Sequence, residues 1–269
     1  MIYAMSDIHG CADKLIAKMS QVDFGGDNRV IFLGDYIDYG RCSFQVLKYI
    51  YELQKQYGGE KVVVLKGNHE QMFLEWIDDF KNPCPSGPEE LLTFNDWLRT
   101  DFEYNANTIR TFVSEEQMSF LERMSRTSSL ETTSREAVKL ILLNHKRIVR
   151  WLSGLPCFYE TDRQIFVHAG VDEEAGEYWK VGSSEDVFLW KFPPSKGRFY
   201  KTIIAGHAGT GARELANDFE YHDVYYDGAS HYYIDGSAYK KGGKLLLLAF
   251  EEESGIYYSI EDDGRRRRV

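Results

Sequence analysis

The sequence lacks long apolar runs, paired cysteines and an excess of basic residues, and each absence excludes a class of protein. No stretch of its 269 residues approaches the roughly 18 unbroken apolar residues of a membrane span, so we expect no membrane partner. The four cysteines show no C-x-x-C spacing, which argues against a zinc knuckle or a disulfide framework. The net charge of −10 argues against a nucleic-acid partner, because phosphate backbones require clustered Lys and Arg.

The two ends of the chain carry little targeting information. No basic region precedes the apolar residues 2–5, so no secretory signal is visible and we expect a cytoplasmic location. The run from Arg265 to Arg268 is the exception to the acidic composition, and we expect it to be a disordered tail. With 43% apolar and 28% charged residues, the chain is typical of a globular protein, and we expect one domain over residues 1–269.

The first third of the chain repeats a unit of strand, polar loop and helix. Apolar runs predict buried strands at residues 2–5, 30–33 and 61–65. Helical spacing of apolar residues predicts helices at residues 12–22, at residues 43–57 and from about residue 71. Parallel strands joined in this way end at the same edge of a sheet, so the loops that follow them should converge. These loops carry the side chains of Asp7, His9, Asp35, Asp38, Asn68 and His69.

The character of the chain changes at about residue 78. Strand-like runs disappear as far as about residue 152, while leucines and aromatic residues recur in helical contexts. The segment from Pro83 to Pro88 is rich in turn-forming residues and should form the entrance loop. The sequence therefore predicts a helical insertion at about residues 78–152.

Two later strands each deliver another histidine. The predicted strand at residues 164–167 runs into His168-Ala169-Gly170, and the strand at residues 202–205 runs into Gly206-His207. The chain should finish with antiparallel strands at residues 232–235, 244–250 and 255–259. The other three histidines, His145, His222 and His231, follow no such motif and are interpreted as structural.

The converging side chains have the chemistry of metal ligands. Asp7 and His9 are two residues apart, so in an extended segment both can face one ion. Carboxylate, imidazole and amide groups suit Mn²⁺, Fe²⁺ or Zn²⁺. Asp35 could bridge two such ions, and a two-metal centre suits phosphoryl transfer because it polarises phosphoryl oxygens and lowers the pKa of water.

Five motifs occur in a distinctive order: D-x-H, G-D-x-x-D, G-N-H-E, H-A-G and G-H. This order, over residues 2 to about 250, resembles that of the calcineurin-like metallophosphoesterases. Within them it is similar to the phosphoprotein phosphatase branch, which includes bacterial serine/threonine phosphatases and symmetrical diadenosine tetraphosphate hydrolases. The resemblance implies an α/β fold, a β-sandwich of two mixed sheets flanked by helices.

The resemblance also implies roles for individual residues. Asp7, His9 and Asp35 would bind one divalent metal, and a second would be bound by Asp35, Asn68, His168 and His207. A metal-bridging hydroxide would attack the phosphorus atom, and Mn²⁺ is the expected metal, with Fe²⁺ or Zn²⁺ as alternatives. His69 would be the general acid for the leaving oxygen, oriented by Asp38. Glu70 should support the loop and the positive end of the following helix.

One position departs from the family pattern. Most members have arginine after the second aspartate of G-D-x-x-D, where it grips the substrate phosphate, and this chain has Tyr39. Arg41 stands two residues later and could supply the charge. Lys66 precedes G-N-H-E and would offer a point charge in place of a bidentate clamp. Tyr39, Arg41 and Lys66 are therefore the candidate substrate-binding residues.

The sequence thus predicts a metal-dependent phosphomonoesterase acting on phosphoserine or phosphothreonine proteins or on small phosphoesters. The alternative is a symmetrical dinucleoside polyphosphate hydrolase, because Trp97 to Phe112 loosely match a W-L…N…T-x-x-x-F region of those relatives through Asn105 or Asn107. A non-catalytic phosphate-binding protein is a third reading, suggested by Tyr39. The oligomeric state is not predicted.

Overall fold

The structure is a computed structural model that describes residues 1–81 and 106–269. Within these residues the strands are β1 Ile2–Met5, β2 Arg29–Phe32, β3 Val62–Val64, β4 Phe158–Glu160, β5 Gln164–Val167, β6 Thr202–Gly209, β7 Tyr225–Tyr226, β8 His231–Asp235, β9 Leu248–Glu251, β10 Ile256–Ile260 and β11 Arg266–Arg268. The helices are α1 Ala12–Met19, α2 Ser43–Tyr57, α3 Asn68–Lys81, α4 Ala106–Phe112, α5 Glu115–Ser125, α6 Leu130–Ser153, α7 Trp179–Gly182 and α8 Glu185–Trp190. A 3₁₀ helix spans Glu173–Tyr178.

These strands form two mixed sheets. The first has the order β11-β10-β9-β1-β2-β3, with β1, β2 and β3 parallel and the other neighbours antiparallel. The second has the order β4-β5-β6-β8-β7, with β5, β6 and β8 parallel. The α/β class and the two mixed sheets predicted from the sequence are confirmed.

Alternation along the strands explains how the layers pack. In β1, Tyr3 and Met5 belong to the core that faces helices α1, α2 and α3, while Ile2 and Ala4 belong to a second core. That second core also contains Phe166 and other residues of the opposite sheet, so it lies between the two sheets. Buried on both faces, the central strands read as unbroken apolar runs, which is why they were visible in the sequence.

The described part of the predicted insertion is helical. Helix α5 begins with a capping box, in which the Ser114 hydroxyl accepts from the backbone of Gln117 and the Gln117 side chain accepts from the backbone of Ser114. Helix α6 contains a kink at His145, where φ is −137° and ψ is 28°. The entrance loop at residues 83–88, and Trp97 and Asn105, lie outside the described residues.

Several predicted elements differ from the observed ones. Helix α3 begins at Asn68 and not near residue 71, so Asn68 and His69 are in its first turn. Strand β6 continues through His207 to Gly209. Strand β8 was predicted to be antiparallel to its successors, but it pairs in parallel with β6 in the other sheet, and residues 244–247 form no strand. Strand β7 was missed because it has only two residues.

The arginine tail is ordered, which corrects the prediction of a disordered end. Strand β11 pairs with β10, and Arg267 forms ion pairs with Asp223 and Glu261 at 2.5 and 2.8 Å. These acidic partners offset the repulsion between neighbouring arginines, and the edge of the sheet supplies backbone hydrogen bonds.

Among the helices of residues 1–81 and 106–269, none combines the length and the apolar character needed to cross a bilayer.

Candidate active site

The loops after β1 and β2 are locked together by backbone hydrogen bonds. The Asp7 N–H donates to the Gly34 carbonyl at 3.1 Å, and the His9 N–H donates to the Asp35 carbonyl at 2.9 Å. The third loop joins them because the His69 N–H donates to Asp35 Oδ1 at 3.1 Å. Parallel strands therefore bring the three predicted motifs to one edge of the first sheet.

Left-handed backbone conformations are concentrated in these loops. Of the eight described residues other than glycine that have φ between 44° and 71°, six lie in these loops or on the facing strand β6: Asp7, His9, Asp35, Asp38, Tyr39 and His207. Such conformations cost on the order of 1–3 kcal/mol each and persist where the surroundings fix them, which is common at functional sites.

Two glycines allow the loops to approach so closely. A Cβ at Gly67 would lie 2.2 Å from Asp35 Oδ1, and a Cβ at Gly206 would lie 2.0 Å from Ser6 Oγ and 2.1 Å from Asp7 Oδ2. Any side chain at either position would push against a predicted metal ligand. The Gly206 contact is also where the second sheet meets the first.

The first group of donor atoms surrounds His9. Its Nε2 lies 3.8 Å from Asp7 Oδ1 and 3.6 Å from Asp35 Oδ2. Donor atoms of His9, Asp35 and His69 all lie within 4.8 Å of one another. The structure therefore brings together Asp7, His9 and Asp35, and it adds His69 to their immediate neighbourhood.

The second group surrounds the Asn68 amide. Asn68 Oδ1 lies 2.8 Å from His168 Nε2 and 3.1 Å from His207 Nδ1, and His168 Nε2 lies 3.5 Å from Asp35 Oδ1. Donor atoms of Asp35, His168 and His207 again lie within 4.8 Å of one another. The four residues predicted to share the second ion converge, and Asp35 belongs to both groups.

The orientation of the imidazole rings suits metal binding. His9 Nδ1 lies 2.8 Å from the Ile37 carbonyl, and His168 Nδ1 lies 3.1 Å from the Leu33 carbonyl. A proton on each Nδ1 leaves the Nε2 lone pair directed toward Asp35, an arrangement typical of metal-binding histidines. Burial lowers the pKa of His9 to about 4 and that of His168 to about 3, and it also lowers the pKa of His207. These neutral rings can act as ligands.

His69 differs from the other three histidines. Its Nδ1 lies 2.6 Å from Asp38 Oδ2, and the other carboxylate oxygen of Asp38 accepts from the Thr108 hydroxyl at 2.5 Å. Burial lowers the pKa of His69, but Asp35 and the hydrogen-bonded Asp38 outweigh burial and raise it to about 9. The ring therefore carries a proton at neutral pH and can donate it.

Glu70 organises the loop that carries Asp35. Its fully buried carboxylate accepts backbone N–H groups from Asp35 and Tyr36 at 2.8 Å, and from Gly67 at 3.1 Å. These contacts and its place in the first turn of α3 agree with the predicted supporting role.

Asp235 is a buried acid that the sequence analysis missed. It is 7% exposed at the end of β8, opposite Gly209 and next to the irregular part of β6 that carries His207. Burial, Asp235 and Asp35 together raise the pKa of Asp7 well above its ordinary value. The available signal was an acid directly after the apolar run Tyr232–Ile234 and before Gly236, at the end of a predicted strand.

The three predicted substrate-binding residues have different surroundings. Tyr39 stacks on Tyr239 with ring centroids 4.2 Å apart and contacts the edge of His9, so it lies at the site. Arg41 is exposed beside this loop. The Lys66 ammonium is instead paired with Glu185 at 2.6 Å and with Gln71 at 2.9 Å, which turns its charge toward these groups.

A family model described as calcineurin-like phosphoesterase matches residues 1–233. The chain belongs to the calcineurin-like phosphoesterase family.

This calcineurin-like phosphoesterase is similar to two kinds of known protein. The symmetrical bis(5'-nucleosyl)-tetraphosphatase of Salmonella paratyphi B is 39% identical over 92 residues, a match that spans 34% of this chain and only 30% of that relative. The crystal structure of the cold-active protein-tyrosine phosphatase of a psychrophilic Shewanella species has a TM-score of 0.55 at 17% identity, covering 100% of this chain and 80% of that one. This structural likeness is one of fold.

Proposed function

We propose that the protein is a metal-dependent phosphomonoesterase of the serine/threonine phosphatase type that acts in the cytoplasm. The observation that carries this proposal is the Asp38–His69 pair, a protonated imidazole held beside two donor groups that share Asp35. A fixed acid next to a two-ion site is what hydrolysis of a phosphoester with an alcohol leaving group requires.

The donor set fits two divalent cations. Five carboxyl groups are buried in or beside the site, those of Asp7, Asp35, Asp38, Glu70 and Asp235. If all five were ionised, the positive charge of the His69 imidazolium would offset one of them and leave four negative charges. Two divalent cations would neutralise these four charges. The mixture of carboxylate, neutral imidazole and amide oxygen supports Mn²⁺, with Fe²⁺ or Zn²⁺ as alternatives.

The residues of the chain divide the work. Asp7, His9 and Asp35 would hold one cation, and a second would be held by Asp35, Asn68, His168 and His207. When bound, such a pair supplies Lewis acidity at phosphoryl oxygens and lowers the pKa of water. The Nδ1–H of His69 donates to Asp38, so the proton that would pass to the leaving oxygen is the one on Nε2. Asp38 fixes the ring and favours its charged form.

Substrate binding would rely on Arg41 and Tyr39. The exposed Arg41 guanidinium can reach out of the loop and offer two parallel donors to a phosphate. Tyr39 supplies a hydroxyl and a flat wall close to His9 and His69. We assign no phosphate contact to Lys66, because its ammonium is engaged by Glu185.

The second candidate is a symmetrical dinucleoside polyphosphate hydrolase. The 92-residue similarity to the symmetrical bis(5'-nucleosyl)-tetraphosphatase of Salmonella favours this candidate. The described end of the Trp97–Phe112 region does not support this candidate. The Thr108 hydroxyl donates to Asp38, and the Phe112 ring is buried against Phe73 and Phe44. These two side chains are engaged within the protein, so neither is available to contact a nucleoside.

A paired assay separates the two candidates. Purified protein in Mn²⁺ would be tested for phosphate release from a phosphothreonine peptide and for ADP release from diadenosine tetraphosphate. We expect the peptide to be hydrolysed with the higher kcat/KM, and both activities to be lost in Asp35→Asn. An exposed acid on a loop, Asp27, provides the matched control Asp27→Asn.

The opposite ranking of the two substrates would make the protein a dinucleoside polyphosphate hydrolase. No turnover of either substrate, together with metal-dependent binding of phosphate, would instead support the non-catalytic reading.

A further inference from the structure

A cavity of about 630 Å³ lies between helices α2 and α6 and is separate from the residues of the candidate active site. Five cationic side chains line it and one acidic side chain, Glu52, accompanies them. The cations are Lys48, Lys55, Lys146, Arg147 and Arg150. In a chain of net charge −10, such a concentration of positive charge is a local exception.

The cations on α6 are held together on one helical face. Arg150 is four residues from Lys146 and three from Arg147, and residues at these spacings are neighbours on a helix. Like charges at such spacings destabilise a helix. Within residues 1–81 and 106–269, none of the three forms an ion pair with an acidic side chain. An anionic partner would remove this repulsion.

Helix α2 contributes the facing wall. Lys48 and Lys55 are exposed on it, and Glu52 accepts an ion pair from Lys55 at 3.5 Å. One acid therefore faces five bases, so the cleft remains positive after internal pairing. Long lysine side chains on two helices suit charges distributed along a chain better than one compact anion.

The cleft also has an apolar component. Leu143 lies at its edge with 76% of its surface exposed, one turn before Lys146 and Arg147. Phe44 lines the cleft beneath the kink and packs on the His145 ring, with centroids 4.0 Å apart. An exposed leucine beside unpaired cations offers both an apolar and an electrostatic contact.

We propose that this cleft, lined by α2 and α6, is a docking site for an acidic peptide segment of a protein partner. Glutamates or aspartates of the segment would pair with Lys146, Arg147 and Arg150, and an apolar side chain between them would cover Leu143. A peptide is favoured over a nucleic acid because Leu143 offers an apolar contact inside the cleft, and because a short segment meets less of the acidic remainder of the chain than an extended phosphate backbone would. The proposal concerns binding and does not depend on turnover.

Fluorescence anisotropy tests the proposal directly. The probe is a short fluorescein-labelled peptide in which glutamates flank a pair of leucines, titrated with the full chain at low salt. The charge-reversed variant combines Lys146→Glu, Arg147→Glu and Arg150→Glu. We expect it to bind at least roughly tenfold more weakly, since each exposed ion pair contributes up to about 1 kcal/mol. Added salt should weaken binding to the unaltered chain.

A matched control changes the same amount of charge elsewhere. Arg123 on α5, Arg126 at the C-cap of α5 and Lys139 on α6 are exposed and lie outside the cleft. Their combined replacement by glutamate should leave peptide affinity close to that of the unaltered chain. Leu143→Ser should weaken binding several-fold without altering its salt dependence, which separates the apolar contact from the electrostatic one.

Three results would overturn the proposal. Equal loss of affinity in the charge-reversed variant and the control would show only an effect of net charge. Tighter binding of a single-stranded oligonucleotide than of the peptide would assign the cleft to nucleic acid. Failure of the unaltered chain to bind the peptide, together with a lower Tm of the charge-reversed variant, would mean that the cations only stabilise the C-terminal end of α6 through the helix dipole.

Discussion

Asp38 and His69 form a buried pair in which Asp38 Oδ2 lies 2.6 Å from His69 Nδ1. The pair leaves Nε2 as the only ring atom that can give a proton to a substrate, and this atom lies 3.8 Å from Asp35 Oδ2. His69 is thus close enough to the first donor group to reach an ion held there. Its role can be decided by separating turnover from metal content.

We expect His69→Asn to lower kcat by roughly 10²–10⁴-fold, because it removes a general acid. Bound metal, measured by elemental analysis after desalting, should stay at the level of the unaltered protein. Loss of one equivalent of metal would instead make His69 a ligand. His222→Asn, in a loop away from the donor groups, is the matched control.

Asp35→Asn should remove both metals together, since Asp35 belongs to both donor groups. Replacing an ionised carboxylate by an amide removes the negative charge that would bridge the ions. Titration calorimetry with Mn²⁺ would then show no high-affinity binding and the assay no turnover. His207→Ala provides the contrast, because it should weaken only the second site. Two intact sites in Asp35→Asn would contradict the shared-ligand arrangement.

Tyr39→Arg tests the departure from the family pattern. An arginine at this position would add a bidentate phosphate donor, so we expect KM for a small phosphomonoester to fall several-fold. The substitution also removes the stacking contact between Tyr39 and Tyr239, which should lower the free energy of unfolding by about 1 kcal/mol and therefore lower Tm. Tyr39→Gln loses the stacking without adding charge and is the control. An unchanged KM in Tyr39→Arg would indicate that Arg41 already supplies the clamp.

Glu70→Gln should destabilise the protein and not only slow it. An amide has one acceptor oxygen, so its NH₂ group would face backbone donors of Tyr36 and Ile37 or of Asp35 and Gly67. Unsatisfied buried donors cost about 1–3 kcal/mol, and urea unfolding should show a decrease of that size. Glu75→Gln, an exposed position on the same helix, should have little effect.

A pH-dependent contribution to stability is expected from His231. Its buried ring lies between Glu173 Oε2 at 3.1 Å and Asp227 Oδ2 at 2.8 Å. Burial lowers the pKa of His231, but Glu173 and Asp227 outweigh burial and raise it above its ordinary value of 6.5. Burial raises the pKa of Glu173, but its hydrogen bond from His231 and its other partners lower it to about 2.

The raised pKa of His231 and the lowered pKa of Glu173 set the pH range in which this pair stabilises the protein. The histidine contribution is fully present below pH 6.5 and is lost as the pH rises through the raised pKa, while the glutamate contribution is present above 4.5 and is lost toward 2. The difference in unfolding free energy between the unaltered protein and His231→Gln should therefore be larger at about pH 5.5 than at about pH 9. Urea unfolding at both values measures it, with His222→Gln as control, and equal differences would contradict the charged pair.

The sequence was most informative where local pattern and topology agree. The bounds of β1, α2 and β5 were predicted as observed, because buried strands and an amphipathic helix each leave a distinct pattern. The convergence of the loop residues on the first sheet followed from parallel strand order alone. The position of His168 and His207 opposite them did not, since it depends on how two sheets pack, and the five motifs supplied that expectation through the family resemblance.

What could not be predicted depends on contacts between distant parts of the chain. Lys66 was interpreted as a phosphate ligand because nothing near it indicates Glu185, which is 119 residues away. The arginine tail forms a strand because Asp223 and the edge of β10 meet it. Asp235 was missed because its strand was expected to run antiparallel to the strands that follow it, whereas it pairs in parallel with β6, which carries His207.

The division of the donor residues between the two sheets also sets the order in which the site can be completed during synthesis. Residues 1–81 contain Asp7, His9, Asp35, Asn68 and His69, so a growing chain exposes most of the donors early. His207 follows well over a hundred residues later and reaches the others only when β6 has joined the second sheet. A ribosome-bound chain that ends before β6 would therefore carry an incomplete site. The amount of metal bound by chains of increasing length would show when the second sheet has formed.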